Sequence, residues 1–428
     1  MEYIKKPLPT SKAVTREIKD TVSEIIEAIE TEGLTAVRRY SERFDKWNPP
    51  SFRVSSTDIQ NALEQTPQKW QEHIGWLQAQ VKNFAELQKA TLTEFEVETQ
   101  PGIKLGQKQI PVSSVGSYSP GGRYPLIASS AMTVVVPKVA GVKRVVASAP
   151  PKDSNGIYAA QLFTMHTSGA DEIYSIGGVQ AMAAMAFGVP ELELAPVDMI
   201  VGAGNAYVAE AKRQLFGVCG IDLLAGPTDI LIIADSSADP EVVATDLLGQ
   251  AEHGLNSPAT LVTTSLELAL EVQKLVLVML ENYPTKDVAG VAWRDCGSII
   301  FCQSDAEMLQ VSDAHAPEHL EVQTTDPDWF LARLQNYGSV FLGHEATVAY
   351  SDKAIGTNHV LPTGGAARYT GGLWVGKFTK TVTYQRCTPE GSRIVAPHAA
   401  GVARAELMFG HALSCDIRLT KQGIKLEP

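Results

Sequence analysis

From about residue 110 onward, short apolar runs alternate with stretches of helical spacing. This rhythm constrains the fold more than any other feature of the chain. The runs are Val145–Ala147, Ile173–Ile176, Met199–Val201, Ile230–Ala234, Thr260–Val262, Ser298–Phe301, Leu320–Val322 and Val340–Leu342. Short buried runs separated by helix-length segments mark βαβ units, which build a parallel sheet between layers of helix. There are enough units here for two sheets. A chain of 428 residues also exceeds one ordinary core, since domains hold roughly 100–200 residues.

The residues ahead of the rhythm read as helical. Ile18, Val22, Ile25, Ile26 and Ile29 recur at helical spacing behind a cap at Thr10 or Ser11, with Gly33 as the stop. Trp70, Ile74, Leu77, Val81, Phe84 and Leu87 form a second stripe, read as core. After about residue 374 the pattern turns irregular and ends in a helix near Ala403–Ser414, a separate tail element.

A formal net charge of -12 argues against nucleic acid or an anionic membrane as partner, because both need basic surface. A small anionic substrate needs only one local Arg or Lys. The five cysteines contain no C-x-x-C, so neither a disulfide framework nor a cysteine zinc site is expected. A reducing, cytoplasmic setting follows. The first residues lack the apolar stretch of a secretory signal, and no run of about 18 apolar residues suggests a membrane span.

Four constellations could carry chemistry. Gln250-Ala-Glu-His253 sets an amide and an imidazole three residues apart, on one face if the segment is helical. Both can bind a borderline metal such as Zn²⁺, and a polar surface helix is the other reading. Ala316-Pro-Glu-His-Leu320 places Glu318 beside His319 before a strand-like run, two acid–base groups near neutral pH or two solvated loop residues. Ser351–Pro362 crowds Asp352, Asn358 and His359 on a glycine-containing segment, either a functional loop or a turn with Asx-type bonds. Glu406 and His411, five apart on a helix, point about 140° away from each other and read as structural. No G-x-G-x-x-G is present. Gly202-x-Gly-Asn205, between a strand and a helical stretch, either admits a pyrophosphate or simply turns the chain.

Taken together, these segments resemble the histidinol dehydrogenase family from about residue 15 to residue 418. The matching strings include Ser117-Tyr-Ser-Pro-Gly-Gly122, Ile176-Gly-Gly-Val-Gln180, Gly204-Asn205, Gln250-Ala-Glu-His253, Ala316-Pro-Glu-His-Leu320 and Gly356-Thr-Asn-His-Val-Leu-Pro-Thr363. The resemblance implies an α/β fold of two incomplete Rossmann-like parallel-sheet domains, a helical N-terminal segment and a homodimer whose C-terminal tail crosses to the partner. The implied divisions are an arm at 1–18, a first domain of 19–117 plus 232–373, a second of 118–231, and a tail of 374–428.

The resemblance also implies Zn²⁺ held by Gln250, His253, Asp352 and His411, the last lent by the other subunit. It implies a catalytic pair of Glu318 and His319, and NAD contacts at Tyr118, Gln180 and Asn205. Substrate contacts fall on His359, Glu406 and Thr228. The implied reaction takes a primary alcohol through an aldehyde to a carboxylate.

Several strings depart from histidinol enzymes. Ala128 stands for a usual Ser, Ala203 for a usual Pro, and Gly226-Pro-Thr-Asp229 for Gly-Pro-Ser-Glu; Arg123-Tyr124, Gly364–Ala367 and Tyr369–Leu373 also diverge. These pieces look closest to the sulfopropanediol dehydrogenase branch, which oxidises 2,3-dihydroxypropane-1-sulfonate to sulfolactate. L-histidinol is the alternative substrate. From another class, a non-catalytic two-lobed binding protein shares the βαβ rhythm but has no use for the Glu318–His319 pair. A guanidinium fork suits a sulfonate or carboxylate. Arg123→Ala is therefore expected to lower kcat/KM for an anionic alcohol more than for a neutral one; equal losses would remove Arg123 from the pocket.

Overall fold

The computed structural model describes residues 1–8, 14–122, 124–224 and 226–425. The expected cap at Thr10 or Ser11 and the side chain of Arg123 lie outside the described residues. In chain order the strands are Glu2–Lys5 (β1), Phe95–Gln100 (β2), Ile103–Pro111 (β3), Ser114–Tyr118 (β4), Arg144–Ala149 (β5), Glu172–Ser175 (β6) and Met199–Val201 (β7). They continue with Gly220–Ile221 (β8), Ile230–Ala234 (β9), Ala259–Thr263 (β10), Ser298–Phe301 (β11), His319–Gln323 (β12), Ser339–Leu342 (β13) and Thr379–Cys387 (β14).

Two parallel sheets result. The five-stranded sheet runs β6-β5-β4-β7-β8. The six-stranded sheet runs β1-β11-β10-β9-β12-β13, with only β1 antiparallel. Apart from the edge strand β1, each starts at its centre, winds outward through two strands, then reverses. The reversals lie between β4 and β7 and between β9 and β12, the places where such sheets open a crevice. Strands β9 and β10 are buried along their whole length because helices cover both faces. Helix Ile127–Ala140 is apolar on nearly every side and correspondingly buried between the five-stranded sheet and helix Gln68–Lys89.

The segment Asp222–Asp229 leaves the carboxyl edge of the five-stranded sheet and enters the amino edge of the six-stranded one. At about 3.3–3.6 Å per residue, so short a connection limits how far apart the two edges can lie. The return strap after helix Val348–Lys353 seats Val360, Leu373, Val375 and Phe378 in the core of the five-stranded half.

Some details depart from the sequence reading. Helices Val14–Glu32 and Leu34–Asp45 pack on Gly178–Phe187 and Ala206–Leu215, hence with residues 118–231 rather than with 232–373. The division proposed at 117/118 and 231/232 also runs through β4 and β9. In helix Gln68–Lys89, Ile74, Leu77 and Val81 are buried but Trp70, Phe84 and Leu87 are exposed, so only half that stripe is core. An antiparallel sheet of β14-β3-β2 occupies segments read as helical or irregular. Its strands are mostly exposed and polar, so apolar periodicity gave no signal for them. The tail is two helices, Pro389–Ala405 and Phe409–Thr420, broken at Leu407, whose φ of 61° no helix interior adopts.

Candidate active site

The facing edges carry the reactive side chains. Residues Thr228 and Asp229 end the connecting segment, and Glu318 and His319 open β12 beside them. The Asp229 N–H donates to Glu318 Oε2 at 3.1 Å, and the Glu318 N–H donates back to Asp229 Oδ1 at 2.9 Å. The Thr228 hydroxyl donates to the same Glu318 Oε2 and accepts from Gln250 Nε2 at 2.6 Å. This direction of donation leaves Gln250 Oε1 as that amide's free acceptor.

His319 is almost wholly buried. Its Nδ1 lies 3.0 Å from the Asp229 carbonyl oxygen and 3.3 Å from Gln250 Nε2. A carbonyl can only accept, so Nδ1 carries a proton for Asp229, the longer Gln250 Nε2 approach is a contact and not a hydrogen bond, and Nε2 faces the other way. That Nε2 has no hydrogen-bond partner and sits 3.7 Å from Asp352 Oδ1, itself buried and unpartnered. Burial opposes charge on His319, but Glu318 and Asp352 outweigh it and raise the imidazole well above its ordinary range. Burial likewise opposes ionisation of Asp352; His319, His359 and Lys353 reverse the balance and hold its carboxyl far below the usual range. Burial lowers His253, against the pull of Asp352, and favours a neutral ring.

This arrangement fits a divalent cation. A buried carboxylate oxygen without a donor is costly unless a cation or proton satisfies it. Gln250 Oε1, neutral His253 and ionised Asp352 supply oxygen and nitrogen donors of the kind zinc takes. The helix Pro240–Ala251 stops before His253, which sits in the following turn with its N–H on the Gln250 carbonyl, 3.2 Å away. The one-helix-face reading of this pair is thus corrected: a turn, not a helix, carries the imidazole.

The tail residues do not join this site within one chain. Glu406 and His411 are solvent-exposed, and no hydrogen bond or ion pair among the described residues links either side chain to the site. Within one chain, no group of three or more His, Cys, Asp or Glu among the described residues is arranged to hold a metal ion by those side chains alone. His359 is adjacent, but its ring is occupied internally: Nε2 lies 2.8 Å from Ser129 Oγ and Nδ1 3.2 Å from the Asp352 carbonyl. Ser129 stands next to Ala128, and the sequence reading missed it.

The three expected cofactor contacts gather at the carboxyl edge of the five-stranded sheet. Tyr118 ends β4, and its hydroxyl accepts from the Gly178 N–H at 3.0 Å. Burial pushes its phenol up to about 12. Gln180 is buried and donates to Asp45 at 3.0 Å; Asp45, unrecognised in the sequence, ends helix Leu34–Asp45. Asn205 caps helix Ala206–Leu215 by accepting from the Tyr207 and Val208 N–H groups. A cleft of about 470 Å³ lies between that helix and the Gly226 and Thr363 loops, and none of Tyr118, Gln180, Asn205 or Thr228 lines it. A hollow of about 590 Å³ between helices Gln68–Lys89 and Ile127–Ala140 contains none of these residues.

The histidinol dehydrogenase family model matches residues 8–419. The chain belongs to the histidinol dehydrogenase family. It is 52% identical over 424 residues to a histidinol dehydrogenase homolog of Shouchella clausii, covering 99% of each chain. It is 49% identical over 423 residues to sulfopropanediol 3-dehydrogenase of Ruegeria pomeroyi, covering 98% of this chain and 97% of that one. The crystal structure of histidinol dehydrogenase from Elizabethkingia anophelis matches with a TM-score of 0.91 at 33% identity, covering 98% of this chain and 95% of the other. The chain is accordingly an NAD-dependent oxidoreductase acting on an alcohol, in a family of dimeric enzymes with small-molecule substrates. Among the described residues no helix is long and apolar enough to cross a membrane.

Behind the site, Asp246 and Glu321 tie its supports together. Asp246 lies one turn before Gln250, and Glu321 lies two residues beyond His319. Glu321 accepts from Val348 N–H at 3.1 Å, at the start of the helix bearing Asp352, while Asp246 accepts from Thr347 at 3.0 Å. Gln323 donates to both carboxyls. Burial and the Asp246 charge push Glu321 up to about 8. A carboxyl raised on folding binds its proton more tightly in the native state, so its contribution is lost as pH rises from the ordinary 4.5 toward 8. Glu321→Gln is expected to flatten the fall in urea midpoint across that window; a slope equal to wild type would show that Glu321 is ionised throughout.

Proposed function

We propose that the chain is a zinc-dependent, NAD-linked dehydrogenase that oxidises a small anionic primary alcohol through an aldehyde to a carboxylate. The best candidate is 2,3-dihydroxypropane-1-sulfonate, giving sulfolactate. The observation that carries the reading is the pair of buried, unpartnered atoms facing each other, His319 Nε2 and Asp352 Oδ1. Gln250, His253 and Asp352 would hold the metal, with His411 of the partner subunit completing the set through tail exchange in a homodimer. Bound zinc would polarise the substrate oxygen, and NAD⁺ would take the hydride in each oxidation.

The remaining chemistry belongs to the chain. The Asp229 carbonyl fixes the His319 tautomer, so Nε2 presents its lone pair to the alcohol O–H and accepts that proton. Glu318 and, after it, Asp352 hold the His319 proton; a cation on Asp352 would offset the second of these charges, so metal loading and base strength are linked. Glu318 is held through Oε2 by Thr228 and Asp229. Its Oε1 is left to take a proton from the water that adds to the aldehyde. Tyr118, Gln180 and Asn205 would line the nucleotide, and Thr228, His359 and the partner's Glu406 would border the alcohol, with Arg123 on its anionic group.

Support for the sulfonate comes from the relative in Ruegeria pomeroyi, whose name carries that substrate and whose identity is 49%. Zinc-loaded protein should form NADH with one enantiomer of dihydroxypropanesulfonate at a far higher kcat/KM than with L-histidinol. The reverse order would make the chain a histidinol enzyme. His319→Ala should lower kcat by about 10²–10⁴-fold with zinc content unchanged, the range for removal of a general base; full activity would exclude His319 as the base.

A further inference from the structure

The turn after β7 is held by a buried ion pair that the reaction itself does not use. Lys212, on helix Ala206–Leu215, and Asp222, just past β8, form a salt bridge in which neither side chain has any solvent exposure. Both also bind the same glycine. The Gly202 N–H donates to Asp222 Oδ2 at 2.9 Å, and Lys212 Nζ donates to the Gly202 carbonyl at 2.8 Å. The second carboxylate oxygen of Asp222 accepts from the Leu223 N–H at 2.7 Å.

Gly202 needs such support. Its φ is 128°, and a Cβ there would lie 2.2 Å from the Tyr118 carbonyl oxygen. The chain therefore runs hard against the end of β4, in a conformation closed to residues with side chains. Downstream, a Cβ on Gly204 would meet Val208 at 2.6 Å, and Asn205 caps the helix that carries Lys212. The turn is pinned at one end by the cap and at the other by the ion pair.

Burying a lysine and an aspartate together seldom stabilises a fold more than an apolar pair of the same volume would. What the pair supplies is a fixed donor and acceptor, spaced to hold the peptide groups on both sides of Gly202. We infer that Lys212 and Asp222 are positioning residues for NAD⁺, shaping the Gly202–Asn205 turn that receives the cofactor without touching it. The inference rests on the reading that Tyr118, Gln180 and Asn205 face the nucleotide.

The test is an apolar exchange of similar volume, Lys212→Met with Asp222→Val, in the zinc-loaded full chain. KM for NAD⁺, and its Kd by titration calorimetry without alcohol, should each rise about tenfold or more, with kcat at saturating NAD⁺ within about threefold and KM for the alcohol unchanged. A KM for NAD⁺ within about twofold of wild type, or a proportional loss in every parameter, overturns the inference. If the double variant does not fold, Lys212→Gln carries the test. Its shorter amide cannot reach both Gly202 and Asp222, so KM for NAD⁺ again rises, and an unchanged value overturns the inference. Gly204→Val separates the two levels. If it raises KM for NAD⁺ while the ion-pair variants do not, the clamp is refuted and the cofactor reading stands; if it too leaves that KM unchanged, the turn is not the cofactor's site.

Discussion

Asp229 and Glu318 hold each other, and the active site depends on that grip. Each backbone N–H donates to the other's carboxyl, and the Asp229 carbonyl also takes the His319 ring proton. Hydrogen bonds to charged groups contribute about 1.5–3 kcal/mol each, more than neutral ones. Their effect here is chiefly geometric. They fasten the end of the connecting segment to the start of β12, so a short link between the two sheets becomes part of the floor of the candidate site. Asp229 itself, crowded by burial and by the Glu318 charge, is pushed up to about 7.

The two sheets use opposite edges. The five-stranded half presents Tyr118 and the Gly202 turn at its carboxyl edge, where doubly wound sheets ordinarily bind ligands. The six-stranded half presents Glu318 and His319 at its amino edge, against that habit. The segment Asp222–Asp229 is the reason, since it joins a carboxyl edge to an amino edge. The carboxyl edge of one sheet and the amino edge of the other are thereby joined by a single short segment. Gln250 and His253 reach the same edge because helix Pro240–Ala251 runs back along the sheet from the far end of β9.

Much of this was legible in the sequence, for identifiable reasons. Runs such as Met199–Val201 and Ile230–Ala234 are buried on both faces, and continuous apolar character is how such strands announce themselves. Strands β2, β3 and β14 gave no such signal because they are largely exposed, and what they bury lies outside the apolar pattern. Glu318 and His319 stood out as an adjacent carboxylate and imidazole, and Asp352 as one of several polar groups crowding a glycine-containing segment, both within strings that resemble the family's. Asp45, Ser129, Asp246 and Glu321 did not, since each gains meaning only from a distant partner: Gln180, His359, Thr347 and Val348 respectively.

By itself, the sequence determined the alternation of strand and helix, the presence of two parallel sheets and the family, because these follow from local patterning and from strings of adjacent residues. The tertiary structure decided which edges face each other, which nitrogen of His319 is left free, and that Lys212 and Asp222 close on Gly202. The physical reason is range. Apolar periodicity is written within one element, whereas a tautomer, a buried charge and a shared glycine are set by groups that meet only after the chain has folded.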